Sequence, residues 1–224
     1  MFLKRYSSYA EAEKTLCKEI VARPEFITDS TFEILSTGFI LTNPWNNKND
    51  HSNYDYAQKF FDWIMTGEKE LSAELIAANP WTKRFVDSKG LPDSFSTSYG
   101  WKIKHQWADI IRELVEHVGT RRAYTNILVP DDKIVFNVKT TMEYPCTIGF
   151  QFLIREGKLI MIVNMRSNNV YAVMPYDVFN FTSLQQYIAK MLKIDVGDYY
   201  HIINNAHLYK GDVRRLKELF YAKN

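Results

Sequence analysis

The alternation of apolar and polar residues predicts helices and one strand in the first half of the chain. Residues 32–41 are rich in Phe, Ile, Leu and Thr, which favours a strand. In residues 54–65 the apolar side chains recur at helical spacing, and the pattern ends near Gly67, a residue type that commonly terminates helices. Residues 90–100 predict a long loop, and residues 101–117 predict one amphipathic helix. The expected apolar face of that helix comprises Trp107, Ile110, Ile111, Leu114 and Val118.

From Ala123 onward the pattern changes to short β-branched and aromatic runs separated by turn residues. These runs predict strands over residues 124–129, 133–138, 147–154, 158–165 and 199–203. Residues 179–192 carry the strongest helical pattern of this half. Helices that flank a mostly antiparallel or mixed sheet make an α+β domain. The chain has 224 residues, of which 46% are hydrophobic, so we expect a single domain over residues 1–224 with a packed core.

Composition excludes several classes of protein. Lys and Arg total 28 against 26 acidic residues, a net charge of +2, whereas proteins that bind nucleic acid usually carry a clustered basic face. Two cysteines do not make a secreted disulfide framework, so we expect reduced thiols. The sequence lacks a run of 18 apolar residues, and no apolar signal segment follows Met1. We therefore expect a cytoplasmic protein that binds neither nucleic acid nor membranes.

Cys146 is the first candidate for chemistry, although a structural cysteine is the simpler interpretation of such a residue. Pro145 constrains the backbone before the thiol and favours an extended conformation at Tyr144. The thiol would then be presented at the start of the predicted strand 147–154. A nearby guanidinium would favour the thiolate, which is the nucleophilic form.

Arg166 is the second candidate because it ends a strongly apolar strand, where an unpaired charge would be costly. The alternative is a surface cation. An anionic partner is expected, and a phosphate suits the planar guanidinium, which binds two oxygens at once. Ser167 adds a hydroxyl donor beside it.

Four motifs in this order resemble the thymidylate synthase family over roughly residues 99–209. The motifs are Tyr144-Pro145-Cys146, Arg166-Ser167, Pro175-Tyr176-Asp177 and His207-Leu208-Tyr209. The Asp at position 177 and the segment 164–168 are most similar to the branch that hydroxymethylates cytidylates. The resemblance implies a mixed sheet flanked by helices and a homodimer with shared active sites.

The resemblance also implies a role for each matching residue. Cys146 would attack carbon 6 of the pyrimidine, and Tyr99 would help to move the proton from carbon 5. Four side chains would bind the 5′-phosphate, with the double arginine coming from the partner subunit: Arg166, Ser167, Arg121 and Arg122. Substrate contacts are also implied for Gln151, His207 and Tyr209, the last two at the sugar 3′-hydroxyl. No metal is implied.

Asp177 would decide which base is used. Cytosine presents an amino donor and an unprotonated ring nitrogen, and a carboxyl group can accept from the first and share a proton with the second. The family's deoxyuridylate enzymes have Asn here, so a cytidylate, dCMP or CMP, is the expected substrate. The alternative interpretation of Asp177 is a helix N-cap before Val178.

The resemblance is weaker on the side of the folate cofactor, 5,10-methylenetetrahydrofolate. Phe60 stands where the family has a catalytic glutamate, and Asn169 stands where it has an aspartate that holds the pterin. The chain stops at Asn224, so we expect a short C-terminal tail. Trp81 does match an aromatic residue near the folate in relatives. Two alternatives therefore remain: a folate-independent enzyme that modifies carbon 5, or a nucleotide-binding protein with reduced catalysis.

Overall fold

The computed structural model describes residues 3–80, 82, 98–128 and 144–221, and every structural statement below concerns these residues. In chain order the elements are β1 (Lys4–Tyr6), α1 (Tyr9–Ala22), β2 (Phe26–Ile27), β3 (Thr31–Leu41), α2 (Tyr54–Thr66), α3 (Ala73–Ala78), α4 (Tyr99–Lys104), α5 (Trp107–Glu116), β4 (Tyr124–Asn126), β5 (Thr147–Arg155), β6 (Lys158–Met165), β7 (Asn168–Asn169), α6 (Met174–Leu192), β8 (Asp195–Tyr209) and α7 (Lys210–Tyr221). The chain divides into two compact units. Unit 1 comprises Met1–Ser52 and Glu156–Asn224, and unit 2 comprises Asn53–Arg155.

A mixed sheet forms the centre of unit 1. Its neighbouring strands follow the order β1, β3, β8 and β6, with β2 paired to β3 and β7 paired to β8. β3 runs antiparallel to β8, whereas β6 and β7 run parallel to it. Along β6 and β8 buried residues alternate with half-buried ones, because side chains of a strand point to opposite faces. One face of this sheet is therefore packed, and α6 lies against β6 and β8.

Helix α6 begins five residues before the sequence pattern predicts, at Met174. Asn169 prepares this start: its side-chain Oδ1 accepts the backbone N–H groups of Tyr171 and Ala172, at 3.1 and 3.0 Å. Pro175 occupies the first turn, where its missing N–H costs nothing. The N-cap residue is Val173, so the alternative interpretation of Asp177 as the N-cap is wrong.

The helices of unit 2 differ from the prediction in one respect. The helix expected over residues 101–117 is two helices, α4 and α5, separated at Gln106. The Gln106 amide donates to the backbone carbonyls of Lys102 and Asn126, at 3.0 and 2.7 Å, and its oxygen accepts the N–H of Asn126 at 2.8 Å. Val118, expected on the apolar face, lies beyond the end of α5 and is exposed.

Most of the remaining predicted strands and helices are present, and several differ in their bounds. The strands predicted over residues 32–41, 147–154 and 158–165 and the helix over 54–65 are confirmed. β8 is much longer than the predicted 199–203, and β4 is shorter than 124–129 within the described residues. Tyr99 and Gly100, predicted in a loop, begin α4. The strand predicted over 133–138 lies outside the described residues.

The α+β class, with a mixed sheet flanked by helices, is confirmed. The extent of one domain over residues 1–224 stays a prediction. Within the described part of the chain, none of the helices is long and apolar enough to cross a membrane.

Candidate active site

The two cysteines have very different surroundings. Cys17 is 1% exposed in α1, where burial, with a smaller contribution from the Glu13 carboxylate, raises the pKa of its thiol. Cys146 follows the buried Pro145, directly precedes β5 and is only partly buried. A reagent or substrate therefore reaches the thiol of Cys146 more readily than that of Cys17.

The double arginine lies in the same unit as Cys146. Both side chains, Arg121 and Arg122, are exposed. The Gln151 amide of β5 donates to the backbone carbonyl of Arg121 at 2.9 Å, so Gln151 holds the main chain of this segment. Among the described residues, the Arg121 guanidinium has neither a hydrogen-bond partner nor an ion-pair partner. It is thus available to an anionic ligand.

Tyr99 is placed by the close approach of two helices in unit 2. It is 8% exposed at the start of α4. The next residue, Gly100, lies against α2 so closely that a Cβ atom would be 1.9 Å from the carbonyl oxygen of Ile64. Only glycine permits this contact. The contact between the backbones of Gly100 and Ile64 therefore fixes the position of the neighbouring residue Tyr99 relative to α2.

The position of the expected glutamate is apolar in structure as well as in sequence. The Phe60 ring packs edge-on against the rings of Tyr56 and Trp63, with centroids 5.9 and 5.5 Å apart. The carboxylates of α2 are Asp55, which pairs with Lys59, and Asp62, which accepts from Gln58; both are exposed. Helix α2 therefore offers no buried carboxylate in place of the glutamate.

The predicted phosphate and sugar residues meet in unit 1. The parallel pairing of β6 and β7 with β8 brings the segment containing Arg166 and Ser167 beside the end of β8. The hydroxyl Oγ of Ser167 lies 3.2 Å from Nδ1 of His207. The Tyr209 ring, 49% exposed, packs edge-on against the His207 ring at 5.5 Å.

The electrostatics of this cluster favour a neutral imidazole at His207. Burial is the largest effect and lowers its pKa. A backbone hydrogen bond with Asn205 and the Glu33 carboxylate oppose this shift, and the Arg166 cation adds a smaller lowering effect. A neutral imidazole has one N–H donor and one acceptor, which suits a hydroxyl ligand. Arg166, Ser167 and His207 therefore bring a cation, a hydroxyl group and a neutral imidazole to one part of unit 1.

Asp177 lies at the end of a buried chain of hydrogen bonds in unit 1. Asn168 Nδ2 donates to Asp177 Oδ2 at 2.7 Å, and Asn168 Oδ1 lies 3.1 Å from His201 Nε2. His201 Nδ1 lies 2.8 Å from the hydroxyl of Tyr199. Asn168, His201 and Tyr199 are 1%, 0% and 0% exposed, and Asp177 is 8% exposed.

Burial shifts the pKa values of the two titrating groups in this chain of hydrogen bonds, Asp177 and His201, so that their uncharged forms are favoured. It raises the pKa of Asp177 from 3.8 to about 7, although the hydrogen bond from Asn168 opposes the shift. It lowers the pKa of His201 from 6.5 to about 3, so this imidazole is neutral at physiological pH. Asp177 therefore changes its charge near neutrality.

The Asp177 shift predicts how stability depends on pH. Between pH 4 and 7 an unfolded chain releases this proton while the folded protein keeps it, so the free energy of unfolding decreases as pH rises. Asp177→Asn removes this penalty and keeps an acceptor for Asn168. We expect the variant's stability advantage to be roughly 2–3 kcal/mol greater at pH 8 than at pH 5.

Urea titrations of both proteins at the two pH values measure this difference. Asp109→Asn is the matched control, because the Asp109 side chain is 78% exposed on α5. An advantage that is equal at both pH values would show that Asp177 does not titrate with a raised pKa. His201 affects the free energy of unfolding in the opposite direction. Its contribution to stability is lost as pH falls from 6.5 towards 3.

Sequence reasoning missed several polar residues around Asp177. The roles of Asn168, His201 and Tyr199 have no local signal, because their partners are distant along the chain. Asn180, one helical turn after Asp177, is 2% exposed and its Oδ1 has no hydrogen-bond partner. Only its spacing of three residues from Asp177 could have drawn attention to it.

The remaining predicted site residues concern a cofactor or a metal. The side-chain oxygen of Asn169 is engaged by the turn before α6, and the residue is 6% exposed. Trp81 lies outside the described residues. Within the described ranges, no group of three or more His, Cys, Asp or Glu side chains is placed to hold a metal ion.

The predicted residues are thus divided between the units. Unit 2 contains Cys146, Tyr99, Gln151, Arg121 and Arg122, and unit 1 contains Arg166, Ser167, Asn169, Asp177, His207 and Tyr209. Direct hydrogen bonds join Gln151 to Arg121 in the first group and Ser167 to His207 in the second.

Comparison with known proteins identifies the family. The thymidylate synthase family model matches residues 43–223. The thymidylate synthase of Listeria monocytogenes serovar 1/2a is 27% identical over 56% of this chain and 44% of its own length, and that of Listeria innocua is 29% identical over 55% and 38%. The matched segments thus span less than half of these relatives.

The fold agrees with a solved structure of the same family. Thermostable thymidylate synthase A from Bacillus subtilis superposes with a TM-score of 0.76 over 96% of this chain and 84% of its own, at 19% identity. The match of the family model covers most of the sequence and includes Cys146, Arg166, Asp177 and His207. This chain therefore belongs to the thymidylate synthase family.

Proposed function

We propose that this protein is a cytidylate 5-hydroxymethylase that acts on dCMP or CMP. The observation that carries the proposal is the buried carboxyl group of Asp177, whose pKa is raised to about 7 and which is hydrogen-bonded to Asn168. A carboxylic acid that keeps its proton near neutral pH can donate to the unprotonated ring nitrogen of cytosine. Uracil carries a hydrogen on that nitrogen and would meet this donor with another donor.

The chemistry starts from the accessible thiol of Cys146. Its thiolate forms a bond to carbon 6, and the electron pair of the 5,6 double bond moves to carbon 5, which becomes a nucleophile. Carbon 5 would bond to the methylene carbon of the one-carbon donor and then lose its proton, a step for which we propose assistance from Tyr99. The donor's amine would leave with the electron pair of its bond to that carbon. Water adds to the resulting exocyclic methylene group, the carbon–sulfur bond breaks, and the thiolate is regenerated.

Nucleotide binding would use the remaining polar residues. The Arg166 and Ser167 side chains bind the 5′-phosphate, together with the double arginine of the partner subunit. The His207 and Tyr209 side chains bind the sugar 3′-hydroxyl. Gln151 contributes by holding the main chain at Arg121, as well as through the substrate contact that the family resemblance implies.

5,10-Methylenetetrahydrofolate is proposed as the donor from family membership, and it would supply a one-carbon unit at the oxidation level of formaldehyde. The described residues do not complete a site for it. Phe60 packs with aromatic neighbours, the two carboxylates of α2 are exposed, and the Asn169 acceptor is engaged by a turn. These observations favour, as a second candidate, an enzyme that modifies carbon 5 without folate.

Release of tritium from carbon 5 tests the function. The purified protein is incubated with [5-³H]dCMP or [5-³H]CMP, with and without methylenetetrahydrofolate, and [5-³H]dUMP serves as the competing base. Folate-dependent release from a cytidylate with formation of the 5-hydroxymethyl product is expected. Release that does not need folate would favour the second candidate. Tight binding of a cytidylate without any release would indicate a nucleotide-binding protein with reduced catalysis.

We also propose a homodimer with shared sites. The face of the unit 1 sheet opposite its buried side carries half-buried apolar residues on neighbouring strands, among them Ile160, Ile162 and Ile202. Burial of such a face against a second copy would be favourable. The exposed Arg121 guanidinium, which lacks a partner among the described residues, is then free to bind the neighbouring subunit's phosphate.

Mixing inactive variants tests this arrangement. Cys146→Ala and Arg121→Ala chains should each have low activity, but a mixed dimer has one site with both residues intact. Random exchange of subunits should therefore restore roughly a quarter of the wild-type activity. Cys146→Ala mixed with Arg166→Ala is the control, because both residues act within one subunit and no intact site forms. An active monomer by light scattering would contradict the proposal.

A further inference from the structure

The hydrogen bonds that end at Asp177 have one favoured direction. The hydroxyl of Tyr199 is fully buried, and within the described residues its single partner is His201. A buried O–H without an acceptor is costly, so this hydroxyl donates to His201 Nδ1. The opposite direction would leave the hydroxyl hydrogen unpaired.

The direction of the hydrogen bond from Tyr199 determines which atom donates in each of the remaining hydrogen bonds. His201 is neutral and has one N–H, which must lie on Nε2 because Nδ1 accepts. Nε2 therefore donates to Asn168 Oδ1, and the amide nitrogen of Asn168 donates to Asp177 Oδ2, in agreement with the observed orientation.

This orientation also decides which oxygen of Asp177 carries the proton. The carbonyl oxygen of a carboxylic acid is a better acceptor than its hydroxyl oxygen, so the oxygen that receives the Asn168 N–H is the carbonyl. The proton therefore resides on Oδ1. Asp177 has no other hydrogen bond among the described residues, so Oδ1–H is available to a ligand.

We propose that Asn168, His201 and Tyr199 are positioning residues that direct the acid proton of Asp177 to Oδ1 and thereby select cytosine over uracil. The proposal rests on the proposed function and deepens it. The three residues touch no reacting atom, and their effect on the base passes through the Asp177 carboxyl.

The selection should depend on pH. In the acid form Oδ1–H can donate to the ring nitrogen of cytosine, whereas in the carboxylate form both oxygens are acceptors and this donor is lost. Burial and the Asn168 hydrogen bond set the titration of Asp177, Tyr199 is the other titratable group that interacts with it, and His201 stays neutral. Cytosine selectivity should therefore fall as pH rises through the Asp177 pKa of about 7.

The hydrogen bonds from Tyr199 through His201 and Asn168 to Asp177 form a relay. Titration of the Asp177 carboxyl tests this relay without any nucleotide. The protein is labelled with ¹³C at the aspartate carboxyl carbons, and the Asp177 resonance is assigned from its loss in Asp177→Asn. Asn168→Ala should raise the titration midpoint by about one pH unit, because a hydrogen bond to the charged form is lost. Tyr199→Phe should raise it by less, since the reversed direction, which places the proton on Oδ2, becomes accessible.

Nucleotide affinity, measured by equilibrium dialysis with Cys146→Ala as the background, tests the consequence. The ratio of dCMP to dUMP affinity should fall roughly tenfold between pH 6 and pH 8 in this background. Adding Tyr199→Phe should weaken dCMP binding at pH 6 several-fold and leave dUMP binding nearly unchanged. Tyr9→Phe is the control, because Tyr9 is another fully buried tyrosine of unit 1 outside this chain of hydrogen bonds, and it should change neither quantity.

The outcomes separate the relay from the proposed function. A dCMP preference that depends neither on pH nor on Tyr199→Phe would overturn the relay and leave the hydroxymethylase assignment intact. If Tyr199→Phe lowered the affinities for dCMP and dUMP equally, the tyrosine would have only a structural role. That result would also overturn the relay. Shifted Asp177 midpoints in a protein that binds neither nucleotide would support the relay and refute the function. Should Asn168→Ala fail to fold, the nearly isosteric Tyr199→Phe carries both measurements.

Discussion

Cys146→Ala is expected to abolish the release of tritium from carbon 5 while cytidylate binding persists. Without the thiol no bond forms at carbon 6, so carbon 5 does not become nucleophilic and its proton is not exchanged. Loss of a nucleophile that forms a covalent intermediate typically costs on the order of 10⁴-fold or more in rate. The rate of tritium release and the dissociation constant of dCMP, measured on the same preparation, give both quantities.

Cys17→Ala is the matched control for this experiment. Cys17 is 1% exposed in α1, and its thiol has a raised pKa, so it should contribute to packing and not to chemistry. The control should retain tritium release, with at most a modest loss of stability from the missing sulfur atom. Substantial carbon-5 exchange by Cys146→Ala would remove Cys146 from the mechanism.

Asp177→Asn is expected to move the base preference from cytidylate towards uridylate. The amide can offer an acceptor to the ring N–H of uracil and a donor to its carbonyl, but it cannot share a proton with the ring nitrogen of cytosine. A mismatched buried hydrogen bond costs on the order of 1–3 kcal/mol, or roughly 5- to 150-fold. The change should appear in kcat/KM, because the base contacts tighten as charge develops on the ring.

The test needs four values of kcat/KM, for a cytidylate and a uridylate with the wild type and with Asp177→Asn. Together they give the change in the ratio of cytidylate to uridylate kcat/KM, which decides whether Asp177 selects the base. Asp109→Asn makes the same chemical change at an exposed position and should leave the ratio as it is in the wild type. A ratio that Asp177→Asn changes by less than a few-fold would remove the main support for a cytidylate substrate. In that case the carboxyl would stabilise the start of α6 and take no part in base recognition.

Sequence alone was sufficient where the signal is local. The strand over residues 158–165 is confirmed to the residue, because its apolar run is bounded by the turn at Glu156 and Gly157 on one side and Arg166 on the other. Helix α2 is likewise confirmed to within a residue, because Gly67 adopts the left-handed conformation that ends it. The order of the four motifs identified the family, and the family model supports that identification.

The tertiary structure was needed where two distant segments meet. The break between α4 and α5 depends on Gln106, whose side chain bonds to Asn126, 20 residues away. The early start of α6 depends on Asn169, whose side chain caps a turn that no helical periodicity marks.

The site shows the same division. The sequence by itself determined which residue types are present, including the thiol of Cys146, the guanidinium of Arg166 and the carboxyl of Asp177. Only the fold decided that Asp177 is buried and therefore protonated near neutrality, because desolvation depends on everything packed around α6. Only the pairing of β7 with β8 brought Asn168 and His201, 33 residues apart in the chain, within hydrogen-bonding distance.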